Sequence, residues 1–144
     1  MQSAYLDYAA TTPTDPEVLA AMMPYFTEVF GNPSSVYSFA VRSRKAIDTA
    51  RGQVAQALNA GPDEIFFTGS GTEADNWALK GTMERLRSKG DHLITTKIEH
   101  HAILHTAEYL EKVEGVRVTY LPVDPDGRVR MEDLEAAKIG RAHV

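Results

Sequence analysis

The segment Phe67-Thr68-Gly69-Ser70-Gly71-Thr72-Glu73-Ala74-Asp75-Asn76 has the strongest chemical content in the chain. A β-prone run ends there, two glycines permit tight backbone turns, and a helix is expected to open on a hydroxyl cap, with Thr72 in that role. The first amides of a helix are unsatisfied and carry the positive end of its dipole. Such a position takes a phosphate, or it is simply a capped helix. Gly71 would let a ligand approach the backbone closely, and the Thr72 hydroxyl could add a bond. The lysine of a nucleotide P-loop is absent, and the glycine spacing is not the dinucleotide fingerprint. A second feature is Glu99-His100-His101. A histidine there can act as acid, base, metal ligand or stacking partner. His101 and His105 are one helical turn apart and could meet zinc in principle, but no third ligand is in view, so no metal is expected. His92 reads as structural.

These residues need elements to place them. Tyr5 to Pro13 is expected to be extended and then to turn. Asp15-Pro16-Glu17 reads as a helix start, with Asp as cap and Pro at the first position. That helix is expected to reach about Phe30, kinked or split at Pro24. Gly31-Asn32-Pro33-Ser34-Ser35 is a loop by composition. Apolar spacing through Phe39, Ile47, Val54 and Leu58 predicts a helix from about Ser38 to Leu58, with Arg42, Arg44, Lys45 and Arg51 on solvated faces. Strands are predicted at Glu64–Thr68, His92–Thr96 and Val116–Leu121. Helices are predicted from the Gly69–Asn76 motif to about Ser88, from about His101 to Glu114, and from Met131 to Ala137. Strands alternating with helices imply parallel pairing and an α/β layer fold. Ligands in such sheets sit beyond the carboxyl ends of strands, where Thr68–Thr72 and Thr96–His100 both fall.

Composition bounds the function. Twenty acidic against fifteen basic residues give a net charge of −5, which argues against a nucleic-acid-binding face. No apolar run approaches the ~20 residues of a membrane span, and no signal peptide is visible at the N-terminus, so a cytoplasmic protein is expected. Cysteine is absent, which removes disulfides, thiolate metal sites and a cysteine nucleophile from this chain. Three strands do not complete a doubly wound domain. Ile139 to Val144 can be read back as ATC-GGA-AGA-GCA-CAC-GTC, the sequence of a widely used short-read adapter. Residues 138–144 are therefore expected to be a non-native tail, with natural sequence continuing differently past Ala137.

Four motifs in order carry a resemblance: Leu6-Asp7-Tyr8-Ala9-Ala10-Thr11-Thr12-Pro13, Gly31-Asn32-Pro33-Ser34-Ser35, Phe67 to Asn76, and Glu99-His100. Together they are similar to the cysteine desulfurases, in the class V aminotransferase group of fold type I pyridoxal-phosphate enzymes. The chain departs from the common pattern at Tyr37, at Ala40 and at Gly69-Ser70-Gly71-Thr72, where the family often has His, Gly and Ser-Gly-Ala-Thr. The resemblance implies an incomplete three-layer α/β/α large domain with an N-terminal helical segment. It divides the chain into residues 1–60, the N-terminal segment, and 61–137, the first part of the cofactor-binding domain. It implies pyridoxal 5'-phosphate as cofactor, with Gly71 and Thr72 on its phosphate and His100 on its ring and in proton transfer. Ala10, Thr11 and Asn32 match loops at the substrate entrance. The implied reaction converts L-cysteine to L-alanine and leaves sulfur as an enzyme persulfide, for iron–sulfur clusters or thiolated cofactors and tRNA. A homodimer and a sulfur-acceptor protein are the implied partners. The Schiff-base lysine and the catalytic cysteine would lie outside this chain, which alone is expected to be inactive. A selenocysteine lyase or another class V enzyme is the alternative within the group. A stand-alone phosphate-binding or interaction module is the alternative outside it.

Overall fold

The computed structural model describes residues 3–138 and 142–143. The chain divides into two compact units, Met1–Phe66 and Phe67–Val144.

Among its described residues the first unit holds three α-helices: α1 (Pro16–Met22), α2 (Pro24–Thr27) and α3 (Ser38–Leu58). Asp15 caps α1, its Oδ1 accepting from the amides of Glu17 at 2.8 Å and Val18 at 3.4 Å. Pro24 splits the expected single helix, because it has no amide to donate and its ring crowds the preceding turn. The second piece ends at Thr27, short of Phe30, with the amides of Glu28 and Val29 both closing onto the Pro24 carbonyl at 2.8 Å. Helix α3 has the predicted bounds and ends on Asn59 in the left-handed conformation (φ 53°). Its basic residues do more than face water. Arg51 Nε donates to the Ile65 carbonyl at 3.2 Å, and Arg44 reaches two carbonyls of the preceding loop. Gly31 is buried against Phe39, and a Cβ there would stand 2.9 Å from the Phe39 carbonyl oxygen. Glycine is therefore what lets this loop lie on α3.

Glu64–Thr68 is not a strand, contrary to its composition. The chain makes a short 3-10 turn at Pro62–Glu64, and Ile65 is extended (φ −102°, ψ 121°) but outside the sheet. β-branched and aromatic residues favour a strand only when a neighbouring strand accepts the ladder.

The second unit contains α4 (Gly71–Arg85), β1 (His92–Thr96), α5 (His101–Lys112), β2 (Arg117–Leu121), α6 (Met131–Ala137) and the two-residue β3 (Ala142–His143). The sheet is parallel in the order β2-β1-β3, with His92 opposite Arg117 and Thr96 opposite Leu121. This is the mixed α/β architecture expected. Its core joins Met83 of α4, Leu93 of β1, Ala107 and Leu110 of α5, and Val116, with Leu79, Val118 and Tyr120 packed around them. Gly115 takes φ 68° to turn α5 into β2. The third strand is not the one expected at Glu64–Thr68 but β3, inside the segment 138–144 expected to be a tail. Residues 139–141 and 144 of that segment lie outside the described residues. No described helix is long and apolar enough to cross a membrane.

His92 is structural, as its position suggested. It is 2% exposed, and its Nε2 lies 2.8 Å from Thr119 Oγ1 across the β1–β2 ladder. Its Nδ1 is buried with no partner among the described residues. Burial, reinforced by the Arg117 guanidinium and opposed by Asp91, holds its pKa below the usual imidazole value. The folded state therefore binds fewer protons at this site than the unfolded state does. Stability should be fully present above the unfolded histidine pKa of about 6.5 and should decline as pH falls below it. Urea midpoints between pH 7.5 and 5 would show this slope, and His92→Leu should flatten it. An equal slope in that variant would assign the effect to other groups.

Candidate functional site

The Thr68–Thr72 turn builds an arrangement of donors with an open front. Ser70, in extended conformation, is the cap of α4, and its Oγ accepts from the Glu73 amide at 3.2 Å. This corrects the expectation that Thr72 caps the helix. Thr72 is one position past the start, so its side chain is not used for capping. Glu73 Oε2 accepts from the Gly69 amide at 2.6 Å, and Thr68 Oγ1 donates to the Ser70 carbonyl at 3.0 Å. The loop is thus closed by its own polar groups. The Ala74 amide is bonded to the Ser70 carbonyl at 3.1 Å. The amides of Gly71 and Thr72 and the Thr72 hydroxyl have no partner among the described residues. A Cβ built at Gly71 would meet nothing within 4 Å. Three donors at the positive end of a helix are therefore left without a protein partner at an exposed helix start, which suits an anion.

His100 follows β1 through Lys97-Ile98-Glu99. Thr96 Oγ1 donates to Glu99 Oε1 at 2.9 Å, and the Lys97 amide donates to the Leu121 carbonyl at 3.0 Å, which fixes this loop to both strand ends. His100 is exposed and caps α5: its Nδ1 accepts from the Ala102 amide at 3.1 Å. A ring accepting at Nδ1 carries its hydrogen on Nε2, so that nitrogen is a donor. His101 is the first residue of α5, and its ring stacks on His105 at 5.1 Å and 27°. Thr72, Asn76 and Lys80 of α4 line a groove of about 410 Å³ together with His100, His101 and His105. No carboxylate lines that groove, and Lys80 Nζ stands 4.8 Å over the Tyr109 ring.

The structure thus brings Thr72 and His100 to one groove, with Gly71 beside Thr72 in the chain. Ala10, Thr11 and Asn32 belong to the other unit and are exposed there. Ala10 closes a turn onto the Asp7 carbonyl at 3.1 Å, and Asn32 Oδ1 accepts from the Ser34 amide at 2.9 Å. Sequence reasoning missed Ser70 as cap, and Asn76 and Lys80 as groove residues. Asn76 and Lys80 stand four and eight residues after Thr72, and that helical spacing was the available signal. Among the described residues no three His, Cys, Asp or Glu side chains are grouped to hold a metal ion.

A parallel α/β unit with an open helix start on α4 and a histidine after the carboxyl end of β1 defines a partial α/β domain. The class-V aminotransferase model matches residues 4–142, and the chain belongs to that family. It is 61% identical over 136 residues to cysteine desulfurase IscS of Clostridium botulinum (strain Kyoto / Type A2), covering 94% of this chain and 34% of that protein. It is 52% identical to cysteine desulfurase IscS of Methanosarcina thermophila, covering 94% of this chain and 33% of that one. Among solved structures, a NifS-like protein matches with a TM-score of 0.89 and 39% identity, covering 94% of this chain and 37% of that one. SspA in complex with cysteine matches with a TM-score of 0.89 and 37% identity, covering 97% and 40%. The chain spans about a third of the length of the curated relatives it matches.

Proposed function

We propose that this chain is the N-terminal third of a pyridoxal-phosphate-dependent cysteine desulfurase, which turns L-cysteine into L-alanine and keeps the sulfur as an enzyme persulfide. The observation that carries this reading is the pairing of the free donors at Gly71 and Thr72 with His100, Thr72 and His100 lining one groove. Pyridoxal 5'-phosphate fits the residues present. Its phosphate suits three unused donors and the open space at Gly71. When bound, the cofactor supplies the electron sink for the bonds broken at the amino acid's α-carbon. The chain's own residues hold and orient. Gly71 and Thr72 anchor an anion, and His100 offers a ring face and an Nε2 hydrogen beside it. Ala10, Thr11 and Asn32 line the substrate entrance in this reading. Residues 61–137 are the first part of the cofactor-binding domain, and 138–144 are a tail foreign to it. The longer polypeptide works in the cytoplasm as a homodimer and passes sulfur to an acceptor protein.

The test is alanine production from L-cysteine by the longer polypeptide loaded with cofactor, with persulfide followed in parallel. Alanine and persulfide in equal amounts are expected. No alanine from a loaded enzyme overturns the reading, and alanine from selenocysteine alone moves it to the lyase.

A further inference from the structure

We propose that Arg44 is a positioning residue that holds the Asn32 loop in the shape a substrate meets. The inference rests on the reading of that loop as part of the substrate entrance. Arg44 Nε donates to the Pro33 carbonyl at 2.8 Å, and Nη2 donates to the Ser35 carbonyl at 3.0 Å. The two contacts use the planar fork of the guanidinium, whose donors have a fixed spacing. They grip the loop on either side of Ser34. Inside that grip, Asn32 Oδ1 accepts from the Ser34 amide at 2.9 Å, and the Asn32 carbonyl accepts from the Ser35 amide at 3.0 Å. Asn32 is therefore folded onto the two residues whose neighbouring carbonyls Arg44 fixes. On the other side, Gly31 is wedged against Phe39, five residues before Arg44 on α3. The loop is thus located by packing at Gly31 and by charge-assisted bonds at Pro33 and Ser35, with Asn32 between them. Arg44 is exposed, so a role limited to stability would be small, because surface polar contacts contribute little. What it adds is geometry.

In the active full-length enzyme, Arg44→Ala should lower kcat/KM for L-cysteine roughly 10–100-fold, the size of a misplaced binding group, mostly through KM, with the melting temperature nearly unchanged. Arg44→Lys should recover only part, since an ammonium lacks the fork. Asn32→Ala should raise KM by itself and add little in the Arg44→Ala background, because both changes undo one arrangement. Arg42→Ala, which removes the same charge from the same helix, should leave KM alone. If Asn32→Ala raises KM and Arg44→Ala does not, the entrance reading stands and the positioning role falls. If Asn32→Ala has no effect, the entrance reading fails and takes the Arg44 role with it. Additive effects, full rescue by lysine, or an equal effect of Arg42→Ala each overturn the proposal too.

Discussion

Replacing His100 with alanine in the full-length enzyme is expected to slow alanine formation by roughly 10²–10⁴-fold, the range for a lost general acid–base group. His101→Ala should change it little. The two neighbours differ in what holds them. His100 ends the loop after β1 and presents Nε2, whereas His101 lies within α5 and stacks on His105. Because His100 also caps α5, alanine removes a cap as well as a ring. His100→Asn separates the two losses. Asparagine is among the best caps and should keep the helix start, yet it has no imidazole to stack or donate. The asparagine variant should therefore melt like the parent and turn over like the alanine variant. Steady-state rates of all three variants, with cofactor occupancy checked by absorbance, decide the matter. Wild-type turnover by His100→Asn would reduce His100 to a helix cap, and a crippled His101→Ala would shift the assignment by one residue.

Thr72→Ala should weaken retention of the cofactor by roughly 10–150-fold, the equivalent of one hydrogen bond to a charged group, about 1.5–3 kcal/mol. Since Ser70 caps α4, this change leaves the cap in place, and the loss reports on the ligand alone. Gly71→Ala probes the same place by bulk. The open space around a Cβ at Gly71 means the folded chain tolerates the methyl group, while a phosphate seated there would not. Titration of the apo-enzyme with pyridoxal phosphate should show weakened binding in both variants and parental melting in both. Unchanged affinity in both would put the phosphate elsewhere.

The sequence made some elements legible because their signals are local. Pro24 announces a break wherever it stands, and Asp15-Pro16 announces a start. Helix α3 and strand β1 have the predicted bounds because apolar period and flanking turns agree. Glu64–Thr68 misled because a strand is a property of two segments, and one segment's composition cannot state whether a partner exists. The α4 cap was displaced by two residues because Ser70 and Thr72 both carry hydroxyls. Only backbone geometry decides which one turns toward the Glu73 amide. Helix ends erred in one direction: α4 and α5 stop at Arg85 and Lys112, earlier than their apolar period suggested. Of the candidate site, the glycine-rich turn before α4 and the histidine after β1 were readable as motifs. The groove that joins Thr72 to His100 was not, because it depends on α4 lying beside α5. Arg44 was unreadable for a related reason, since an arginine's position on a helix does not say which carbonyls its long side chain reaches.

His100 ties the groove to the helix behind it. Its Nδ1 receives the Ala102 amide, and Ala102 and His101 line the same groove as the ring. The imidazole and the first turn of α5 are therefore not placed independently. Whatever turns the ring also takes an acceptor from the start of the helix, with no moving domain required.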